Sequence, residues 1–327
     1  MSQGSDDPLS AGEGPVVRSP AAIGLAGGYL ADALLGDPVR YHPVAGFGRA
    51  AEAVERVLWK PSRAAGTAYT AAMLAPVTVT VAVLDGALGR RPWGRIVLAS
   101  AAVWIALGGR SLAREAQRLA DAVVRSDLDE ARAIAPALVG RDPSGLDGPE
   151  LCRAAVESVA ENTADAVVGP LLWGAVAGPA GVVAYRAANT LDAMVGHRSE
   201  RYGRFGWAAA RLDDALTWPA ARLASFLTVA AAPLAGADAR SARRILRRDG
   251  ARHPSPNAGR LEAAFAGALG VRLGGRNRYG DRVEDRPVLG EGRPPDVDSV
   301  RRAVRLSQLV GAAAACLCVF LAWRLGR

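Results

Sequence analysis

Apolar residues in this chain gather into six runs, at 21–35, 64–84, 96–109, 166–185, 215–237 and 308–323. About 20 helical residues cross a hydrocarbon core, so most of these runs have spanning or near-spanning length. The first is interrupted by Asp32 and crosses only if its ends snorkel or the bilayer thins. The fourth is broken by Gly169-Pro170, Gly178-Pro179 and Gly181. Breakers at that density suit a kinked span or a re-entrant pair of short helices.

The polar segments between runs have helical periodicity of their own. Phe47, Ala50, Val54, Val57 and Leu58 fall on one face of a helix over 46–59. Two charged amphipathic helices are predicted at 111–125 and 128–139, with Ser126 and Asp129 as a capping box. Asp147 with Glu150 makes a second capping box, and Pro149 sits in the first turn that follows. Asn257 is placed to cap a helix over 258–269, and 274–298 reads as a Gly/Arg/Asp/Pro-rich loop. Strand patterning is weak throughout.

The pattern therefore predicts an all-α, multi-pass helical integral membrane protein with short or re-entrant helices and cytoplasmic helical loops. Residues 1–19 read as a disordered tail. Residues 20–327 read as a single membrane-embedded helical domain with a soluble helical insert, 110–165, and a polar loop, 238–307. If all six runs cross, the loops 36–63, 110–165 and 238–307 share one side and carry most of the Lys and Arg. The positive-inside rule puts that side in the cytoplasm, hence a cell-membrane protein. Six simple crossings would also separate 157–165 from 189–214, two stretches dense in polar chemistry. A re-entrant 166–185 brings them to one face.

Composition sharpens this picture. The chain has 327 residues, 50% hydrophobic and 22% charged, with mean hydropathy +0.11, so the apolar residues are clustered. The net charge of +8 comes from a pool in which Lys60 is the only lysine. We read that as compositional bias plus membrane-loop charge, with no nucleic-acid partner. Arg222 lies inside an apolar run, where an ionisable residue marks either a site or the membrane edge. Six arginines over 240–252 form a flank suited to anionic headgroups. No phosphate loop of the Gly-x4-Gly-Lys type occurs. Cys152, Cys316 and Cys318 form no Cys-x-x-Cys pair, so neither a zinc site nor a disulfide framework is expected.

Glu157, Glu161 and Asp165 recur at i, i+4 and i+8, which places them on one helix face. Like charges at that spacing destabilise a helix unless a cation offsets them. With Asp192, Asp213 and Asp214 they make a set of hard oxygen ligands suited to Mg²⁺. Any one of them read alone is an ordinary solvated helix charge. His42 and His253 each precede a predicted helix, and helix N-termini bind phosphate. A capping or turn histidine is the alternative. Gly-x-Ser-x-Gly and His-Glu-x-x-His are absent, so hydrolase and zinc-protease readings lack support.

Taken in order, Gly36-Asp37-Pro38 with His42-Pro43-Val44, Glu157 to Asp165, Tyr185 to Gly196, Arg211 to Asp214, and Ser255 to Gly259 form a specific set. The chain resembles the CobD/CbiB family, the adenosylcobinamide-phosphate synthases of cobalamin biosynthesis. It departs at Thr217, where the family usually has Asn, and at Pro219, one residue early.

The resemblance implies a ligase that uses ATP and Mg²⁺. It would join adenosylcobyric acid to (R)-1-amino-2-propanol O-2-phosphate, or to free aminopropanol, in an amide bond, giving adenosylcobinamide phosphate. Candidate catalytic residues are then Glu157, Glu161, Asp192 and Asp213. Candidate metal ligands are Glu157, Glu161, Asp165 and Asp214. Candidate cofactor and phosphate contacts are His42, Asn162, Asn189, Arg222, His253 and Asn257. Expected partners are the two substrates, the lipid bilayer and other corrinoid-pathway enzymes. The competing classes are a small-molecule transporter, with Arg222 and Asp32 in its path, and a non-catalytic AmpE-like sensor or scaffold.

Overall fold

The structure, a computed structural model, describes residues 19–326 except 39–41, 90, 141, 198, 280 and 281, and it omits the side chains of 277–279, 282 and 283. The expected tail lies outside the described residues apart from Ser19.

The helices are α1 (Pro20–Leu35), α2 (Pro43–Leu58), α3 (Arg63–Ala87), α4 (Pro92–Ala106), α5 (Gly109–Val124), α6 (Leu128–Ile134) and α7 (Gly148–Thr163). They continue as α8 (Gly169–Leu191), α9 (Trp207–Ala231), α10 (Ala239–Asp249), α11 (Ala258–Leu269) and α12 (Val297–Arg324). Five helical stretches are long and apolar enough to cross a membrane: Arg63–Ala87, Pro92–Val124, Gly148–Gly196, Trp207–Ala235 and Val297–Arg324. The protein is thus an all-α, multi-pass membrane protein. Only 17% of the most apolar window of α3 is buried, and Val79, Val83 and Leu84 point outward, as lipid-facing residues do.

Two local rules build the packing. Gly24 and Gly28 let α1 lie close on α4, where Cβ atoms at those positions would come within 2.4 Å of Ala99 Cβ and 2.5 Å of Val103 Cβ. This is the small-residue contact by which membrane helices associate. The central helix α7 starts at the expected Asp147–Glu150 capping box and buries Leu151, Val156 and Val159 among α5, α11 and α12. The 110–165 stretch therefore shares one core with the membrane helices.

Three local expectations are corrected. The cap of α6 is Asp127, which accepts from the Glu130 N–H, in place of Ser126 with Asp129. Asn257 precedes α11 without capping it; Ser255 Oγ accepts from the Asn257 and Ala258 N–H groups. Part of the 274–298 loop is an antiparallel hairpin, β1 (Leu273–Tyr279) with β2 (Arg282–Leu289), whose register shifts between Leu273 and Gly275.

The decisive feature is the course of α8. Gly178 adopts φ 68° and ψ −161°, a backbone state open to a residue without Cβ. In a straight helix Gly169 and Tyr185 would stand about 24 Å apart. Here a Cβ on Gly169 would lie 2.2 Å from Tyr185 Cζ, and one on Gly174 would lie 3.0 Å from Val182 Cγ2. The arms before and after Gly178 thus fold against each other as a re-entrant pair. The Gly148–Gly196 stretch doubles back, and 157–165 and 189–214 meet.

Candidate active site: a carboxylate cleft beside the re-entrant pair

Asp165 sits in a π-helical turn, Ala164–Val168, and Asp192 in another, Asp192–Gly196, at the two ends of α8. Wider turns of this kind recur at functional sites. Because α8 reverses, Asp165 lies within electrostatic reach of Asp213, Glu161 and Asp192, with Arg186 as the neighbouring cation. Between Leu151 and Ala175 every residue except Glu161 is buried or half-buried. Glu161 is exposed on a helix enclosed by its neighbours, so it opens onto a cleft. No hydrogen-bond donor among the described residues meets the carboxylate of Glu161, Asp165 or Asp192.

Asp213 is held differently. Its Oδ1 accepts from Asn189 Nδ2 at 3.3 Å and from Thr217 Oγ1 at 3.4 Å. Thr217 also shares a hydrogen bond with the Tyr185 hydroxyl at 3.2 Å. Arg186 Nη1 donates to Asn189 Oδ1 at 3.3 Å. Thr217, the departure from the family pattern, thus supports a cleft carboxylate.

The other predicted residues divide. Glu157 is held away from the cleft: its Oε1 accepts from Arg153 Nη1 at 3.1 Å and from the Gly274 N–H at 2.8 Å. Arg153 also donates to the Gly274 carbonyl at 2.7 Å, so this pair fastens β1 to α7. Asp214 forms an ion pair with Arg211 at 3.6 Å. Asn162 donates to the Ser158 carbonyl at 3.0 Å and serves its own helix. His42 Nδ1 accepts from the Val44 N–H at 3.2 Å and caps α2. His253 Nδ1 accepts from the Ser255 N–H at 3.0 Å, and its Nε2 lies 3.4 Å from Arg286 Nη1 and 3.7 Å from Glu262 Oε1. Burial, with the Arg286 charge, pushes His253 down to about 4, so it is neutral at neutral pH.

Among the described residues, no three His, Cys, Asp or Glu side chains converge as a metal centre. Glu161 and Asp165, one turn apart on the same helix face, have hard, donor-free oxygens that suit Mg²⁺, which takes one or two carboxylates together with phosphate and water. Sequence reasoning passed over Arg186, Arg286 and Asp37 as site residues. Arg186 lies within reach of Asp37 and Asp165, and Arg286 within reach of Glu161. Asp37 and Arg186 stand inside the motif segments that carried the resemblance, and that was the available clue.

A re-entrant helix pair and a cleft of unsatisfied carboxylates define the class: a polytopic membrane protein with a built polar site. A sequence profile described as "CobD/Cbib protein" matches residues 25–307. The cobalamin biosynthesis protein CobD of Mycobacterium tuberculosis (strain H37Rv) is 52% identical over 303 residues, 93% of this chain and 96% of that protein. CobD of Geobacter metallireducens is 44% identical over 300 residues, 90% and 93% of the two chains. CobD of Stutzerimonas stutzeri is 43% identical over 289 residues, 87% and 92%. No solved structure matches the chain. The chain belongs to the CobD/CbiB family.

Proposed function

We propose that this protein is a cobalamin-biosynthesis enzyme of the membrane that forms an amide bond at the expense of ATP. Its substrates are the propionate carboxylate of adenosylcobyric acid and the amine of (R)-1-amino-2-propanol O-2-phosphate or aminopropanol. The reading rests on family membership and on one observation: the reversal of α8, which gathers Glu161, Asp165, Asp192 and Asp213 beside Arg186.

Each residue has work suited to its surroundings. Glu161 and Asp165 would hold Mg²⁺, which with ATP supplies the activation of the propionate. Asp192, which meets no donor among the described residues, takes a proton from the substrate ammonium; the freed amine lone pair bonds to the propionate carbon as a carboxylate C–O bond breaks, that oxygen leaving with the phosphoryl group it received from ATP. Asp213, fixed by Asn189 and Thr217, orients the ammonium. Arg186 balances the carboxylates and meets anionic substrate groups.

The test is synthase activity of purified protein in lipid nanodiscs. Asp192→Asn and Glu161→Gln are expected to lower the rate about 100-fold or more, as loss of a general base or metal ligand does. Full activity in either variant would remove that residue from the mechanism.

A further inference from the structure

Arg222 and Arg260 form a second basic feature, outside the carboxylate cleft. The Arg222 guanidinium stacks 4.2 Å from the Trp218 ring centroid, and its Nη1 donates to the Trp218 carbonyl at 3.2 Å and to Asn257 Oδ1 at 2.8 Å. Asn257 is fixed in turn, with its Nδ2 donating to the Asp214 carbonyl at 2.9 Å. Arg260, in the first turn of α11, lies within electrostatic reach of Arg222. Its Nε is buried and meets no hydrogen-bond acceptor. Among the described residues neither guanidinium pairs with a carboxylate. Two like charges brought together without a counter-ion cost energy that a bound anion recovers. The N-terminus of α11 adds the positive end of its dipole.

We propose that Arg222 and Arg260, bridged by Asn257, form a phosphate site that takes a phosphate monoester dianion. Guanidinium forks match phosphate oxygens in this way, and a stacked arginine keeps its donors aimed. Resting on the proposed function, the phosphate is that of the amino-alcohol substrate. Asp213 lies nine residues before Arg222 on α9, about 14 Å along the helix axis. Asn257 joins the two regions: it meets Arg222 through Oδ1 and, through Nδ2, the carbonyl of Asp214, next in the chain to Asp213. An anionic lipid headgroup offers the same phosphate chemistry, and the experiment separates the two sources.

Full-length protein is reconstituted in phosphatidylcholine nanodiscs and titrated calorimetrically with (R)-1-amino-2-propanol O-2-phosphate and with inorganic phosphate. Arg222→Gln and Arg260→Gln are each expected to weaken both ligands about ten-fold or more, the loss of one charge-assisted hydrogen bond. Arg247→Gln, on the exposed face of α10, should leave binding unchanged. A second arm adds phosphatidylglycerol to the discs. If only that lipid binds, and Arg260→Gln abolishes it, the phosphate site stands but its substrate assignment falls. If both glutamine variants keep wild-type melting and bind ester and lipid as wild type does, the site is refuted.

Should a glutamine variant fail to fold, phenylglyoxal labelling of wild type decides: the ester must protect the Arg222 and Arg260 peptides, and equal labelling overturns the proposal. The two readings fail separately. Ester binding without synthase activity removes the proposed reaction alone. Synthase activity with an unchanged KM in Arg260→Gln removes this site alone.

Discussion

Glu157 and Glu161 stand one helical turn apart on α7, and replacing each by glutamine should have opposite consequences. Glu157 is 8% exposed and accepts hydrogen bonds from Arg153 and the Gly274 N–H. Each bond to a charged group contributes about 1.5–3 kcal/mol. Glutamine retains one acceptor oxygen but strands Arg153, so Glu157→Gln should cost about 2–4 kcal/mol.

Among the described residues Glu161 has no hydrogen-bond donor to lose; Glu157 and Asp165 repel it along the helix face, and Arg286 offsets part of that repulsion. Carboxylates at that spacing, about 6 Å apart, repel by about 3 kcal/mol at an effective dielectric near 20, and solvent in the cleft reduces this to about 1 kcal/mol. Glu161→Gln should therefore leave stability unchanged or raise it by up to about 1 kcal/mol, while abolishing synthesis. Thermal unfolding in detergent measures the first quantity. Hydrogen exchange over 273–289 gives a local reading, because the β-hairpin should lose protection only in Glu157→Gln. Wild-type stability and hairpin protection in Glu157→Gln would refute the reasoning. So would a Glu161→Gln protein destabilised by more than about 2 kcal/mol.

Gly169→Ala should push a methyl group into the Tyr185 ring and cost about 1–3 kcal/mol or more; pairing it with Tyr185→Ala should give a non-additive cycle in thermal unfolding. His253, pushed from its ordinary 6.5 to about 4, is buried neutral, so the unfolded chain binds the extra proton between those values. Stability should fall as pH drops from about 6.5 towards 4, by about 3 kcal/mol in all, and His253→Gln should flatten that limb in pH-resolved melting. Asp249 is fully buried, and its hydrogen bond from Arg248, with those from the Gly290 N–H and Arg252, holds it at about 2. Its contribution, about 2 kcal/mol, is complete above pH 4 and is lost as pH falls through about 2; Asp249→Asn should remove it and lower the neutral-pH melting temperature.

How far the sequence reached can be judged from particular residues. The Asp147–Glu150 capping box was legible because both partners lie within one helical turn. The β-hairpin was missed because its strands lack apolar alternation; the Gly280-Asp281 dipeptide between 273–279 and 282–289 was the one turn signal present. Asn257 has the sequence position of a cap, but a neighbouring serine took that task and left its amide for Arg222.

The sequence by itself determined the helical membrane class, the positions of the apolar runs, and the breakers at Gly178-Pro179 that permit a reversal. These follow from hydropathy, periodicity and backbone sterics, all local properties. Only the tertiary structure decided that the arms of α8 close on each other, and so which carboxylates share a cleft. Helical period makes Glu157 and Glu161 equivalent. The difference comes from what each meets across space: a hairpin N–H and an arginine for one, and an open cleft of carboxylates for the other.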